Sequence, residues 1–218
     1  MKLSRIAFPL LVLILAAPLA AEEGWTFQTS LGVVEHLETP LTIRQAGFED
    51  IELDADYETR PFESPFYYSL RAGRWSGRGG WELELIHLKL FLRNRPAEVQ
   101  RFDISHGYNL VTVNRGWDLG RLILRAGAGA VVAHPENTVR GRPFEGDSGG
   151  LGGGYHLTGP ALQVAAEKRF ALGERWLLGL EGKISAARAK VPVAGGEAEV
   201  PNVAAHLLLG LGYRWGAR

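Results

Sequence analysis

Six histidines are the side chains of this sequence best suited to chemistry near neutral pH, because imidazole is a common metal ligand and a common acid–base group. Two of them have charged neighbours at short spacing, in Glu84-x-x-His87-x-Lys89 and His134-x-Glu136. For three histidines, a functional role and a merely structural position at the polar rim of the barrel are equally well supported: His87, His134 and His206. For the other three, a structural position at the rim is the simpler interpretation: His36, His156 and His106, which strict alternation places on the lipid-facing phase.

The elements that position these histidines are alternating apolar and polar segments. In residues 202–215, alternate residues are mostly apolar, and in a strand they share one face. Eight segments of this kind follow one another: 25–33, 68–73, 81–92, 102–110, 121–134, 156–170, 176–187 and 202–215. The phase flips within 81–92, which predicts a one-residue bulge near Leu85 or Ile86. The histidines avoid the strand halves nearest the short connections.

The connections alternate between short and long. Short turns are predicted at 76–80, 115–120 and 171–175, and long polar loops at 37–66, 94–101, 135–155 and 190–201. An even number of long strands with this asymmetry is typical of an all-β, eight-stranded antiparallel barrel of the outer membrane. Aromatic residues near the short turns suit the headgroup level: Trp25, Trp75, Trp81, Phe170, Trp176, Tyr213 and Trp215. A soluble barrel with an apolar lumen is the alternative, but one face here carries the charges.

Composition and the first residues agree with export. Residues 1–21 combine Lys2 and Arg5, an apolar stretch and small residues, which predicts a signal peptide before a barrel of residues 22–218. Lys plus Arg equals Asp plus Glu at 24 each, so we expect no nucleic-acid partner. The lack of cysteine excludes a disulfide scaffold and a thiolate metal site. We expect a monomer among outer-membrane lipids.

The polar face predicts a lumen filled with paired charges. An eight-stranded barrel has an interior that side chains just fill, so it is not a diffusion pore. Acidic and basic residues of this face are nearly equal in number, which predicts a mutually neutralising network. We expect these residues to point inward: Arg71, Glu82, Glu84, Arg121, Arg125, Glu167, Arg169, Glu181, Lys183 and Arg214.

Several motifs occur in one order over most of the predicted mature chain. They are Pro65-Phe66-Tyr67-Tyr68-Ser69-Leu70-Arg71, Glu84-Leu85-Ile86-His87-Leu88-Lys89, Asp103-Ile104-Ser105-His106-Gly107-Tyr108-Asn109, Ala133-His134-Pro135-Glu136, Leu157-Thr158-Gly159-Pro160-Ala161 and Glu181-Gly182-Lys183. With these motifs the chain resembles the outer-membrane lipid A oxidases of Gram-negative bacteria. The resemblance implies oxidation of the proximal glucosamine of lipid A, in lipopolysaccharide, to an aminogluconate, with dioxygen consumed and hydrogen peroxide released. The chain departs from the family at His106, where an acidic residue is expected.

Carried over by position, the resemblance implies a set of site residues: Glu84, His87, Lys89, Asp103, Asn109, His134, Glu136, Glu181 and Lys183. Catalytic roles are predicted for Glu84, His87, Asp103 and His134, with Asp103 as base. Substrate binding is predicted for Lys89, Asn109, Glu181 and Lys183, with the two lysines on a lipid A phosphate.

A metal ion is the predicted cofactor. Dioxygen reacts slowly with a closed-shell sugar, and the sequence has no dinucleotide-binding motif, which leaves a small divalent or redox ion. Imidazole and carboxylate are suitable ligands, and His87 and His134 with Glu84 or Glu136 could supply them across the barrel mouth.

Two other functions stay open. The chain could be a non-enzymatic structural or adhesive outer-membrane barrel with a salt-bridged lumen. An enzyme acting on acyl chains is less well supported, because the adjacent Ser105 and His106 diverge in a strand.

Overall fold

The computed structural model describes residues 23–144 and 151–216, so the signal peptide predicted for residues 1–21 lies outside the described residues. No helix in those two ranges is long and apolar enough to cross a membrane. The described ranges contain fifteen strands: β1 (Gly24–Leu37), β2 (Thr39–Gln45), β3 (Ile51–Ala55), β4 (Tyr57–Glu58), β5 (Tyr68–Ser76), β6 (Gly79–His87), β7 (Leu90–Leu92), β8 (Val99–Ile104), β9 (Tyr108–Asp118), β10 (Ile123–Ala133), β11 (Glu136–Val139), β12 (Arg142–Phe144), β13 (His156–Ala171), β14 (Trp176–Val193) and β15 (Gly196–Trp215).

Eight of these strands close into a barrel wall. They follow the order β1-β5-β6-β9-β10-β13-β14-β15, and β15 pairs back onto β1. Every pair in the wall is antiparallel. The closing register runs from Trp25 opposite Trp215 to Leu37 opposite Val203, so the wall has no free edge. The predicted eight-stranded antiparallel barrel is confirmed.

The outer face of the wall is an apolar belt. Leu83, Val113, Leu162 and Ile184 come from four different wall strands, and each is more than half exposed. Exposed apolar area costs about 25 cal/mol per Å² in water, so a belt around the wall requires an apolar medium. The belt and the closed wall together place the protein in the cell outer membrane, as predicted.

Aromatic residues mark the short-turn end of the belt. The exposed tryptophans there are Trp25, Trp81, Trp117, Trp176 and Trp215. The prediction that Trp75 belongs to this girdle is wrong, because its side chain points into the lumen and is 1% exposed. A Cβ on Gly80 or Gly116 would come within 2.4 or 2.5 Å of the Trp75 ring, so these glycines make room for it. Trp75 therefore closes the lumen at the short-turn end.

Two predicted strands differ from the structure. The segment 81–92 leaves the wall after His87, and its register with β5 is regular, so the predicted bulge near Leu85 is absent. The segment 102–110 divides between β8, in a second sheet, and the wall strand β9. Both errors have one cause: residues such as Phe102 and Ile104 are buried in a core outside the membrane, and alternation cannot tell that core from lipid.

The long connections build this second layer. A five-stranded sheet of order β12-β11-β8-β7-β4 stands at the long-loop end, and β2 and β3 extend the main sheet beside β15. The loop predicted at 190–201 is instead a continuation of the β14–β15 hairpin, which turns at Val193 and Gly196. Buried apolar residues from these strands form one cluster with Ile86, Leu110 and other inward residues of the upper wall. This cluster seals the lumen at its outer end.

Candidate functional site

Four of the predicted site residues meet outside the barrel, where the wall leaves the membrane. His87 ends β6 on the same face as Leu83, and Asn109 lies in β9 on the same face as Val113. His134 follows β10, and Glu136 begins β11. Together with His106 these residues form what we call the outer-flank cluster: His87, His106, Asn109, His134 and Glu136. The cluster therefore faces the lipid side of the wall, directly above the apolar belt.

His87 is held by two neighbours. Its Nδ1 lies 2.8 Å from the Asn109 side-chain oxygen, so the imidazole N–H donates there. Its ring stacks on Tyr68 with centroids 5.1 Å apart. His87 is only 7% exposed, and its Nε2 has no hydrogen-bond partner among the described residues. With Nδ1 protonated, Nε2 carries a lone pair and can accept a proton.

His106, His134 and Glu136 form a second group beside this pair. One ligand atom from each lies within 4.8 Å of the others. His106 Nδ1 is 2.8 Å from Glu136 Oε1, and the His106 and His134 rings are 5.0 Å apart. His134 Nδ1 is buried without a hydrogen-bond partner among the described residues, and burial lowers the pKa of His134, which favours its neutral form.

Contacts outside this group hold it in place. The other carboxylate oxygen of Glu136 accepts hydrogen bonds from Arg101 and from the Ser105 hydroxyl. The Tyr155 ring meets His134 edge-on at 5.0 Å, and its hydroxyl donates to the His106 backbone carbonyl at 3.1 Å. The pairing of β11 with β8 sets Glu136 opposite Asp103 and so brings it to this edge.

Three predicted site residues lie inside the lumen instead. Glu84, Glu181 and Lys183 are at most 3% exposed, and Lys183 contacts both carboxylates, with Glu181 at 3.1 Å. On β6 the next inward residue beyond Glu84 is Ile86, which belongs to the sealing cluster. The barrel wall and the sealing cluster of apolar residues separate these three residues from the outer-flank cluster.

The remaining two predicted residues support other groups. The Lys89 ammonium is buried and donates to the backbone carbonyls of Arg60 at 2.7 Å and Glu63 at 2.8 Å, and burial lowers the pKa of Lys89. It therefore holds the loop before β5. Asp103 accepts a hydrogen bond from Arg101 at 2.9 Å, so it neutralises the guanidinium beside Glu136.

His106 is the member of the cluster for which the sequence predicts no functional role. Its lipid-facing phase indicates a plain rim residue as long as the lumen is the only side of the wall that can hold a site. For a substrate that is itself a lipid, the outward face is the accessible one. That phase was the signal that could have identified His106. Conversely, His206 lies in the lumen between the Tyr67 and Ser185 hydroxyls, at 2.7 and 2.8 Å.

Eight buried charged residues form a network of ion pairs in the lumen. Arg71, Arg125, Arg169 and Lys183 pair with Glu82, Glu84, Glu167 and Glu181, all of them buried. Four positive and four negative groups make it neutral, which agrees with the predicted salt-bridged lumen. The prediction is wrong for Arg121, which is exposed in the turn after β9, and Arg214 lies outside the network and donates to the Glu174 backbone carbonyl at 2.8 Å.

Solved structures of outer-membrane proteins are similar to this chain. Ail, the attachment invasion locus protein of Yersinia pestis, is 11% identical with a TM-score of 0.41, over 89% of this chain and 100% of that chain. OprG from Pseudomonas aeruginosa is 12% identical with a TM-score of 0.48, over 91% and 99%. The outer membrane protease OmpT from Escherichia coli is 10% identical with a TM-score of 0.46, over 88% and 97%. Neither a protein-family model nor a curated protein matches the sequence. Its own closed wall and apolar belt make this chain an eight-stranded β-barrel of the outer membrane.

Proposed function

We propose that this protein is an outer-membrane enzyme that oxidises the proximal sugar of lipid A at the outer-flank cluster. One observation carries the proposal: the cluster lies on the lipid side of the wall, where the apolar belt ends. A molecule that reaches it from the membrane has acyl chains beside the belt and a polar head at the level of His87 and His134. Lipid A has this form, and the resemblance to lipid A oxidases supplies the reaction class.

The reaction is a two-electron oxidation of a hemiacetal. The C1–H bond and the O–H bond of the C1 hydroxyl break, and C1 becomes the carbonyl carbon of a lactone. Dioxygen takes up the two electrons and two protons and leaves as hydrogen peroxide. Water then opens the lactone to the aminogluconate, so the lipid gains one oxygen atom overall. The sugar must therefore carry a free C1 hydroxyl.

His87 is suited to accept the proton of that hydroxyl. Its Nδ1–H is directed to Asn109, which leaves the buried Nε2 lone pair as the base. Asp103, the base predicted from the sequence, is engaged with Arg101 and so serves as a support. A redox-active ion on neighbouring donors would supply the one-electron chemistry that dioxygen requires.

Mass spectrometry of lipid A tests the proposal. The chain is expressed in a Gram-negative host whose lipid A has a free C1 hydroxyl, with and without air. We expect a gain of one oxygen atom on the proximal sugar, only in air and only with the gene. His87→Ala and His134→Ala each abolish the gain, while Arg188→Met, on the exposed β14–β15 hairpin, retains it.

Correct folding is checked for each variant by its heat-dependent shift on a denaturing gel. Unchanged lipid A under aerobic expression of the folded protein would contradict the proposal and favour the structural or adhesive barrel. Full activity of both histidine variants as purified proteins would contradict the assignment of the site.

A further inference from the structure

We propose that His106, His134 and Glu136 bind one divalent transition-metal ion. The sequence predicted His134 and Glu136 as ligands together with His87, and the structure supplies His106 in place of His87. Metal binding itself stands apart from the proposed oxidation, and only the catalytic use of the ion rests on that function.

The distances suit a small ion. Two ligand atoms about 2.1 Å from an ion and at right angles to each other are about 3.0 Å apart. His106 Nδ1 and Glu136 Oε1 are 2.8 Å apart, so an ion can replace the proton of their hydrogen bond with little movement. The third donor, a ring nitrogen of His134, lies within 4.8 Å of both.

The surroundings favour a ligand set over a plain hydrogen-bonded cluster. The Nδ1 atom of His134 is buried and unpartnered among the described residues, so an ion would satisfy it. Arg101 and Ser105 hold one oxygen of Glu136 and leave Oε1 directed at His106. Such supporting contacts are typical of carboxylates that bind metals.

The ligand types indicate the class of ion. Two imidazoles and one carboxylate suit iron(II), cobalt(II), copper(II) or zinc, whereas magnesium and calcium prefer an all-oxygen shell. Three protein ligands leave coordination positions open. His106 has a side chain that is 54% exposed, so the open side faces the headgroup layer rather than the lumen. His87 stays outside the shell, because its ring nitrogens are not among the ligand atoms that lie within 4.8 Å of one another.

Cobalt(II) titration of the purified, detergent-folded chain tests the site, with visible absorption and elemental analysis as readouts. We expect one cobalt(II) per chain. His106→Ala and Glu136→Gln each weaken binding at least about tenfold, the loss seen even when only a supporting group of a metal site is removed. His87→Gln is the matched control, a histidine of the same flank outside the set, and it retains binding. Every variant must show the heat-dependent gel shift of the folded barrel.

Two results would overturn the proposed metal site. The folded wild-type chain binds no cobalt(II), or the single variants His106→Ala and Glu136→Gln both retain full binding. The lipid A assay separates this outcome from that of the proposed function. Cobalt(II) binding with unchanged lipid A supports the metal site and contradicts the oxidation. Oxidised lipid A from a chain that binds no metal supports the oxidation and contradicts the metal site.

Discussion

Removing Arg125 from the lumen network is expected to destabilise the barrel strongly. The guanidinium is buried and contacts three carboxylates: Glu82, Glu167 at 2.8 Å and Glu181 at 3.0 Å. Arg125→Met leaves the neutral network with one net negative charge in a space sealed at both ends. Breaking a buried ion pair from one side costs about 3–5 kcal/mol. Urea unfolding in detergent micelles, followed by tryptophan fluorescence, measures the loss.

A second substitution separates charge from packing. Arg125→Met combined with Glu82→Gln restores neutrality, so the double variant should lose less stability than the sum of the two single losses. The control is Arg188→Met, whose partner Glu199 lies on the exposed hairpin, and which should cost at most about 1 kcal/mol. A loss below about 1 kcal/mol for Arg125→Met, or strict additivity in the double variant, would refute the electrostatic argument.

Two further predictions concern the ends of the lumen. Lys89→Met removes the donor to two backbone carbonyls in the 60–63 loop and lowers the opening free energy of that loop by about 2 kcal/mol. Hydrogen exchange there should become roughly thirtyfold faster, and unchanged exchange would contradict the role of the ammonium. Gly116→Ala puts a methyl group within 2.5 Å of the Trp75 ring and should lower the free energy of unfolding in urea by about 1–3 kcal/mol. Gly182→Ala is the control, because its methyl group meets only open space and should not lower that free energy. Equal losses in the two variants would show that the contact with Trp75 is not the cause.

Alternation predicted the wall well because it records a local physical fact. Each wall strand separates lipid from lumen, so its two faces differ in polarity at every step. In β15 the predicted apolar face runs to Trp215, and that face is the outward one. The same logic fails where an alternating strand has core on one side and water on the other, as in β8. Phe102 and Ile104 therefore gave a lipid-facing pattern without facing lipid.

The site was harder to predict because it depends on contacts between distant segments. Asn109 and His87 come together through the neighbouring strands β6 and β9, whose order the sequence suggested. Glu136 reaches His106 only because β11 pairs with β8 in the second sheet, and no local pattern reports that pairing. The motifs indicated candidate site residues, but not which of them lie next to one another in the structure.

The arrangement divides stability and chemistry between the two sides of one wall. The lumen is filled by a neutral network. It is closed by Trp75 at the short-turn end and by Ile86 and its neighbours at the long-loop end. A substrate therefore cannot reach the outer-flank cluster through the barrel. Under the proposed function, lipid A reaches the cluster from the side, within the outer leaflet, with its acyl chains against the belt. This geometry requires no pore, and it separates the buried ion pairs of the lumen, such as Lys183 with Glu84, from any lipid on the outer face.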